Sequence, residues 1–120
     1  MNTPVDFTTA KLLKEKGFNN KVSHYWNYNG EVLFSYKPKT DPINYTMAPT
    51  ITEVVMWLYE KHGIWIEVVW DIELNKELKW YSGITNVGDS SELEIFQSNP
   101  CDTPTEAYSQ AIEYTLKNLI

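Results

Sequence analysis

The chain has 120 residues, with sixteen carboxylates against ten basic side chains, all lysine, and a formal charge of -6. That length supports one domain over 1–120 around a single core, and 42% apolar residues with seventeen aromatics exclude a disordered tail. The acidity and the missing arginine argue against nucleic-acid binding, no apolar run approaches the ~20 residues of a membrane span, and Met-Asn-Thr-Pro does not read as a signal peptide. One cysteine, Cys101, excludes an internal disulfide framework and fits a reducing cytoplasm.

Asp6-Phe7-Thr8-Thr9-Ala10 opens a short helix, with either Asp6 or Thr8 able to accept from its free N–H groups. Phe7, Ala10 and Leu13 share a face, and Gly17 suits a left-handed stop. The runs Val22–Tyr28 and Glu31–Lys37 flank Asn29-Gly30, which predicts a two-residue hairpin turn pairing Tyr25 with Phe34 and Trp26 with Leu33. The same register sets His24 opposite Ser35 and Asn27 opposite Val32. Pro38 to Met47 contains two prolines and no period, and reads as a loop.

Thr50-Ile51-Thr52-Glu53 is a capping box before a second helix with its apolar stripe at Ile51, Val54, Val55 and Leu58, ended by Gly63. Ile64 to Leu74 then alternates: Ile64, Ile66, Val68, Trp70, Ile72 and Leu74 point one way, and Trp65, Glu67, Val69, Asp71 and Glu73 the other. The returning strand carries Leu78, Trp80, Ser82 and Ile84 on even positions. A loop of odd length is needed to keep both apolar sets on one face. Asn75-Lys76-Glu77 meets that need and would set Glu73 opposite Lys79. Glu92 to Gln97 predicts a fifth, short strand with Leu93 and Ile95 on one side, and Thr103-Pro104-Thr105-Glu106 starts the last helix.

The expected order is α-β-β-α-β-β-β-α. It predicts an α+β fold: an antiparallel sheet of two hairpins plus a short strand, with three helices packed mainly on one face. Leu13–Phe18 and Leu58–Ile64 look alike; a duplicated helix–hairpin unit, or two helices that stop the same way, would produce this.

The run Ala48-Pro49-Thr50-Ile51-Thr52-Glu53-Val54-Val55-Met56-Trp57-Leu58-Tyr59-Glu60-Lys61-His62-Gly63-Ile64-Trp65-Ile66 resembles one found in short uncharacterised proteins of phage-like and mobile regions of gut anaerobe genomes. Asp6 to Phe18 and Thr105 to Leu119 look like theirs too. The resemblance implies a small intracellular accessory protein and supplies no activity, cofactor or site residue.

Chemistry-bearing constellations are sparse. Cys101 stands before a helix start, where a thiolate is favoured, but the histidines, His24 and His62, have spacings that suggest packing and helix-end roles. Glycines form no phosphate-cradling loop, and no zinc spacing occurs. Asp89 to Glu94 reads as a solvated acidic turn rather than a cation loop, and Glu67, Asp71 and Glu73 as a solvated strand face. No catalytic, cofactor or metal residue is therefore expected.

The candidate interface is Trp26, Leu33, Trp65, Val69 and Tyr81, aromatic and apolar residues on sheet positions turned from the expected core. Either they bind a protein partner or a second copy, or the sheet curls or the 38–47 loop folds over and buries them. The leading expectation is a non-enzymatic protein-binding module. A second is an acidic decoy for a basic nucleic-acid-binding protein; a small enzyme is a third. Charge is also divided along the chain: residues 1–39 hold six lysines and three carboxylates, and residues 40–120 four lysines and thirteen carboxylates, that is +3 and -9.

Overall fold

The structure, a computed structural model, describes residues 3–27, 29–35, 45–87 and 94–120, with the side chain of Glu94 also outside the description. The chain divides into two compact units, Met1–Glu53 and Val54–Ile120. Among the described residues, three helices and two antiparallel three-stranded sheets make an α+β fold in the order α-β-β-β-α-β-β-β-α.

In the first unit, α1 (Phe7–Glu15) is capped by Asp6, whose Oδ1 accepts the Thr9 N–H at 2.7 Å. It ends at Gly17 (φ +89°), where the Phe18 N–H reaches back to the Leu13 carbonyl and satisfies a terminal acceptor. Strands β1 (Tyr25–Asn27) and β2 (Leu33–Phe34) pair in the expected register, Tyr25 with Phe34 and Trp26 with Leu33. The turn differs from the expected Asn29-Gly30 reversal. Its bond runs from the Gly30 N–H to the Asn27 carbonyl, and Asn27 Oδ1 accepts the Glu31 N–H. Gly30 is needed there twice over: φ is +72°, and a Cβ would overlap the Phe7 ring.

The stretch read as a loop over 38–47 ends in a strand, β3 (Tyr45–Met47), which pairs antiparallel with β1. β1 is thus the middle of a sheet ordered β2-β1-β3, and the hairpins are divided between two sheets rather than joined in one. Val5, Ala10, Leu13, Phe18, Val22, Ala48 and Ile51 are buried here.

Helix α2 (Ile51–His62) begins in the first unit and runs on into the second; its capping box forms as expected, with Thr50 Oγ1 accepting the Glu53 N–H and Glu53 Oε1 accepting the Thr50 N–H. In the second unit β4 (Ile64–Ile72), β5 (Leu78–Asn86) and β6 (Glu94–Gln97) form a sheet ordered β4-β5-β6. The β4–β5 register places Asp71 opposite Lys79 and Ile72 opposite Leu78. The loop is indeed three residues, but it is Leu74-Asn75-Lys76, closed by Lys76 N–H to Glu73 carbonyl and by Glu73 N–H to Glu77 carbonyl. Glu73 therefore faces Glu77, not Lys79. Lys76 takes the left-handed conformation (φ +66°) that such a turn requires of its last residue. The shift is two residues, so the parity argument survives and both apolar sets stay on one face.

Helix α3 (Pro104–Asn118) starts at Thr103, whose Oγ1 accepts the Glu106 N–H at 3.1 Å. Its Tyr114 stacks on Phe96 of β6 at 4.4 Å, and Phe96 is the register partner of Ile84. α3 thereby covers the face of Ile66 and Ile84, each 1% exposed or less. A β-bulge at Ile84/Thr85 shifts the β6 register. The regular Ile84–Phe96 pairing ahead of the bulge sets Phe96 on the covered face and leaves Ile95 exposed; Leu93 lies outside the described residues.

Candidate functional site on the second hairpin

Alternation along β4 and β5 sends even-numbered side chains to one face and odd-numbered ones to the other. The even face is covered only at the end near the helices. Ile64, Ile66, Ser82 and Ile84 are buried, whereas Trp70 and Ile72 are 57% exposed, Leu78 47% and Leu74, in the turn, fully exposed. Trp70 stands opposite Trp80, and Ile72 opposite Leu78. The outer half of this hairpin therefore carries an open apolar surface on the face expected to be core.

Strand length explains the overhang. Nine residues at about 3.3 Å each extend roughly 30 Å, whereas the fifteen residues of α3 span only about 22 Å. One helix laid across such a hairpin leaves part of it uncovered. The sequence alternation identified the face but carried no measure of how far a covering helix would reach.

On the odd face, three of the five expected interface residues stand together on β4–β5. Val69 (52% exposed) lies directly opposite Tyr81, and Trp65 (38% exposed) meets Tyr59 of α2 edge-to-face at 5.7 Å. Tyr81 is half-buried, its hydroxyl donating to the Glu73 carboxylate. Lys79 bonds Asp102 at 2.5 Å and approaches Glu77 at 3.6 Å. Those acceptors, Asp102 first, raise the pKa of Lys79 above the ordinary lysine value against a smaller opposing effect of burial.

Trp26 and Leu33 belong to the other sheet, as register partners on β1 and β2. Leu33 is exposed, but Trp26 is half-buried and its indole N–H donates to the Val5 carbonyl at 2.9 Å. That tether gives Trp26 a packing role within its own unit. Residues 36–44, the bulk of the segment expected as a possible cover, lie outside the described residues.

The groups weighed for chemistry are held in structural ways. Cys101 is 3% exposed, its Sγ donating to the Asn99 carbonyl at 3.2 Å. Its backbone pairs with Trp80 through bonds of 2.8 and 2.9 Å, extending the sheet beyond β6. Burial, more than any other influence, pushes the Cys101 thiol up, and Glu106 and Asp102 add to the effect. The thiol form is favoured, the opposite of what its place before a helix suggested. His62 lies edge-on to Trp57 at 4.9 Å, and His24 Nδ1 sits 3.1 Å from Ser23 Oγ. Tyr108 is also raised, chiefly by burial and secondarily by Glu67.

In the first unit, an apolar recess of about 200 Å³ is lined by Leu13, Phe18, Tyr25, Tyr45 and Met47, with Lys14 as its charged member. Its lining brings no nucleophile to a base. Among the described residues, no three His, Cys, Asp or Glu side chains gather to hold a metal ion, and no helix is long and apolar enough to cross a membrane. The acidic turn at 89–94 lies outside the described residues, apart from the backbone of Glu94.

Comparison with protein-family models, with curated proteins and with solved structures finds no match.

Proposed function

We propose that this chain is a non-enzymatic protein-binding module whose contact region is the outer half of the β4–β5 hairpin. The observation that carries the reading is the set of exposed apolar side chains there, Trp70, Ile72 and Leu78 on the even face and Val69 on the odd face, each between 47 and 57% exposed. Monomeric chains seldom leave a contiguous apolar patch such as that of Trp70, Ile72 and Leu78 without a use for it. Tryptophan and tyrosine, here Trp70 in that patch and Trp65 and Tyr81 on the opposite face, are side chains that most often anchor protein interfaces. The resemblance to phage-like accessory proteins fits such a role, and the single buried thiol of Cys101 fits a reducing cytoplasm.

Affinity capture from the native host tests it, with wild type beside Trp65→Ser/Tyr81→Ser and Ile72→Ser/Leu78→Ser, each verified as folded by circular dichroism. Loss of an interface anchor costs about 2 kcal/mol or more, roughly 30-fold in affinity, so both double variants should lose the partner. Capture unchanged in both would end the reading.

A second reading rests on charge. Residues 54–120 hold four lysines and eleven carboxylates, a net -7. An acidic decoy occupying a basic groove would bind through that field. Its association would weaken steeply between 50 and 500 mM salt, over which the Debye length falls roughly threefold, and the apolar variants would hardly alter it.

A further inference from the structure

The β4–β5 ladder fixes which backbone groups of β4 point outward. Val87 N–H bonds the Gly63 carbonyl and Glu73 N–H the Glu77 carbonyl, so the odd residues of β4 are those bonded to β5. On the far side of β5 the even residues take over: Trp80 exchanges two bonds with Cys101, and Ser82 accepts from Ser98. Bonded pairs in an antiparallel ladder recur every second residue. The N–H and C=O groups of Ile64, Ile66, Val68, Trp70 and Ile72 therefore face the outer edge of a nine-residue strand that ends its sheet and pairs with no further strand among the described residues. One of these donors, the Ile72 N–H, is held by Asp71 Oδ1 at 2.8 Å, a side chain shielding its neighbour's edge group.

We propose that this edge binds a second copy of itself, β4 pairing antiparallel with β4 across a two-fold axis at Val68. This rests on the protein-binding reading above and names the partner at the edge of the same hairpin. Self-pairing is argued from register and charge. An axis at Val68 overlaps all nine residues, setting Ile64 opposite Ile72 and Ile66 opposite Trp70. It also sets Glu67 opposite Val69 and Asp71 opposite Trp65, so no carboxylate faces another. Moving the axis by one residue toward Val69 sets Glu67 opposite Asp71; moving it toward Glu67 sets Glu67 opposite itself. Like charges directly opposed are unfavourable, so the charge pattern selects the register of fullest overlap.

The arrangement closes. Pairing consumes both β4 edges and gives a six-strand sheet, β6-β5-β4-β4-β5-β6, bounded by strands of only four residues. Because the axis stands perpendicular to the sheet, both odd faces lie on the same side. Trp65, Val69 and Tyr81 of the two copies then form one doubled surface.

The test is sedimentation of the full chain over a concentration series, in wild type and in Val68→Pro. The Val68 N–H takes no part in the β4–β5 ladder, so proline there blocks the edge and spares the hairpin. Wild type should dimerise, and Val68→Pro should weaken the dimer roughly 100-fold through lost edge bonds. Salt should strengthen the dimer by screening two copies of charge -6. Should Val68→Pro fail to fold, amide exchange of the wild type decides: protection at Ile66, Val68 and Trp70 should rise with protein concentration. Wild type that is monomeric at every concentration overturns the proposal. So does a dimer whose edge amides gain no protection, or one that a folded Val68→Pro leaves unchanged. Trp65→Ser/Tyr81→Ser should keep the dimer while losing a heterologous partner, which separates failure of this pairing from failure of the broader reading.

Discussion

Replacing Gly30 by alanine tests how the first unit is closed. Two costs are visible. The left-handed backbone at φ +72° disfavours alanine by about 1–2 kcal/mol. The new methyl also overlaps the Phe7 ring, and forcing atoms into an occupied space costs about 1–3 kcal/mol more. Gly30→Ala should therefore destabilise by roughly 2–5 kcal/mol, out of a total of order 6–18 kcal/mol for a chain this long. Urea unfolding with an unchanged slope reads the loss as a lower midpoint. A double-mutant cycle separates the two costs: in a Phe7→Ala background the overlap vanishes, and Gly30→Ala should cost only the backbone share. A coupling of about 1–3 kcal/mol between the two positions is expected. A loss below about 1 kcal/mol, or no coupling to Phe7, would refute the close approach of α1 to this turn.

Ser82 Oγ is buried without a hydrogen-bond partner among the described residues, so Ser82→Ala should raise stability by about 1 kcal/mol in urea unfolding. Lys76→Gly relieves a left-handed lysine and should be neutral to about 1 kcal/mol stabilising; a loss beyond that range would show the turn is held otherwise. Cys101, Tyr108 and Lys79 all have raised pKa values, meaning the folded state holds its protons more tightly. Their contribution is complete below the unfolded values of 9.0, 10.0 and 10.5, and is lost as pH rises through the higher folded ones. Thermal melts should therefore fall progressively above about pH 9, and Asp102→Asn should remove the Lys79 part of that alkaline slope. Thiol labelling of native Cys101 at neutral pH should be slow and become fast on unfolding.

What the sequence discloses is what local chemistry decides. The Asp6 and Thr103 caps, the Thr50–Glu53 box and the glycine stops at Gly17 and Gly63 each satisfy backbone groups within a few residues. The parity of the second hairpin was equally legible, because the apolar period itself demands an odd loop. Its placement was not, since the left-handed position holds Lys76 where glycine or asparagine would have marked it. Strand β3 was hidden because its hydrogen bonds go to β1, about twenty residues away in sequence. For the same reason the separation into two sheets left no local trace. The bulge at Ile84/Thr85 follows Gly83, a glycine inside a strand pattern that could have marked it. Of the candidate surface, alternation places Trp65, Val69 and Tyr81 on one face, and the register agrees. Alternation alone puts Trp70, Ile72 and Leu78 with the core, because it gives a face and says nothing of its cover.

The hairpin surface can be addressed in the living cell by a photo-crosslinking side chain at position 69, with the exposed Glu113 position on α3 as control. Protein adducts should form from position 69 and be absent from position 113. Equal adducts from both positions, or none from position 69, would contradict a binding surface on the β4–β5 hairpin.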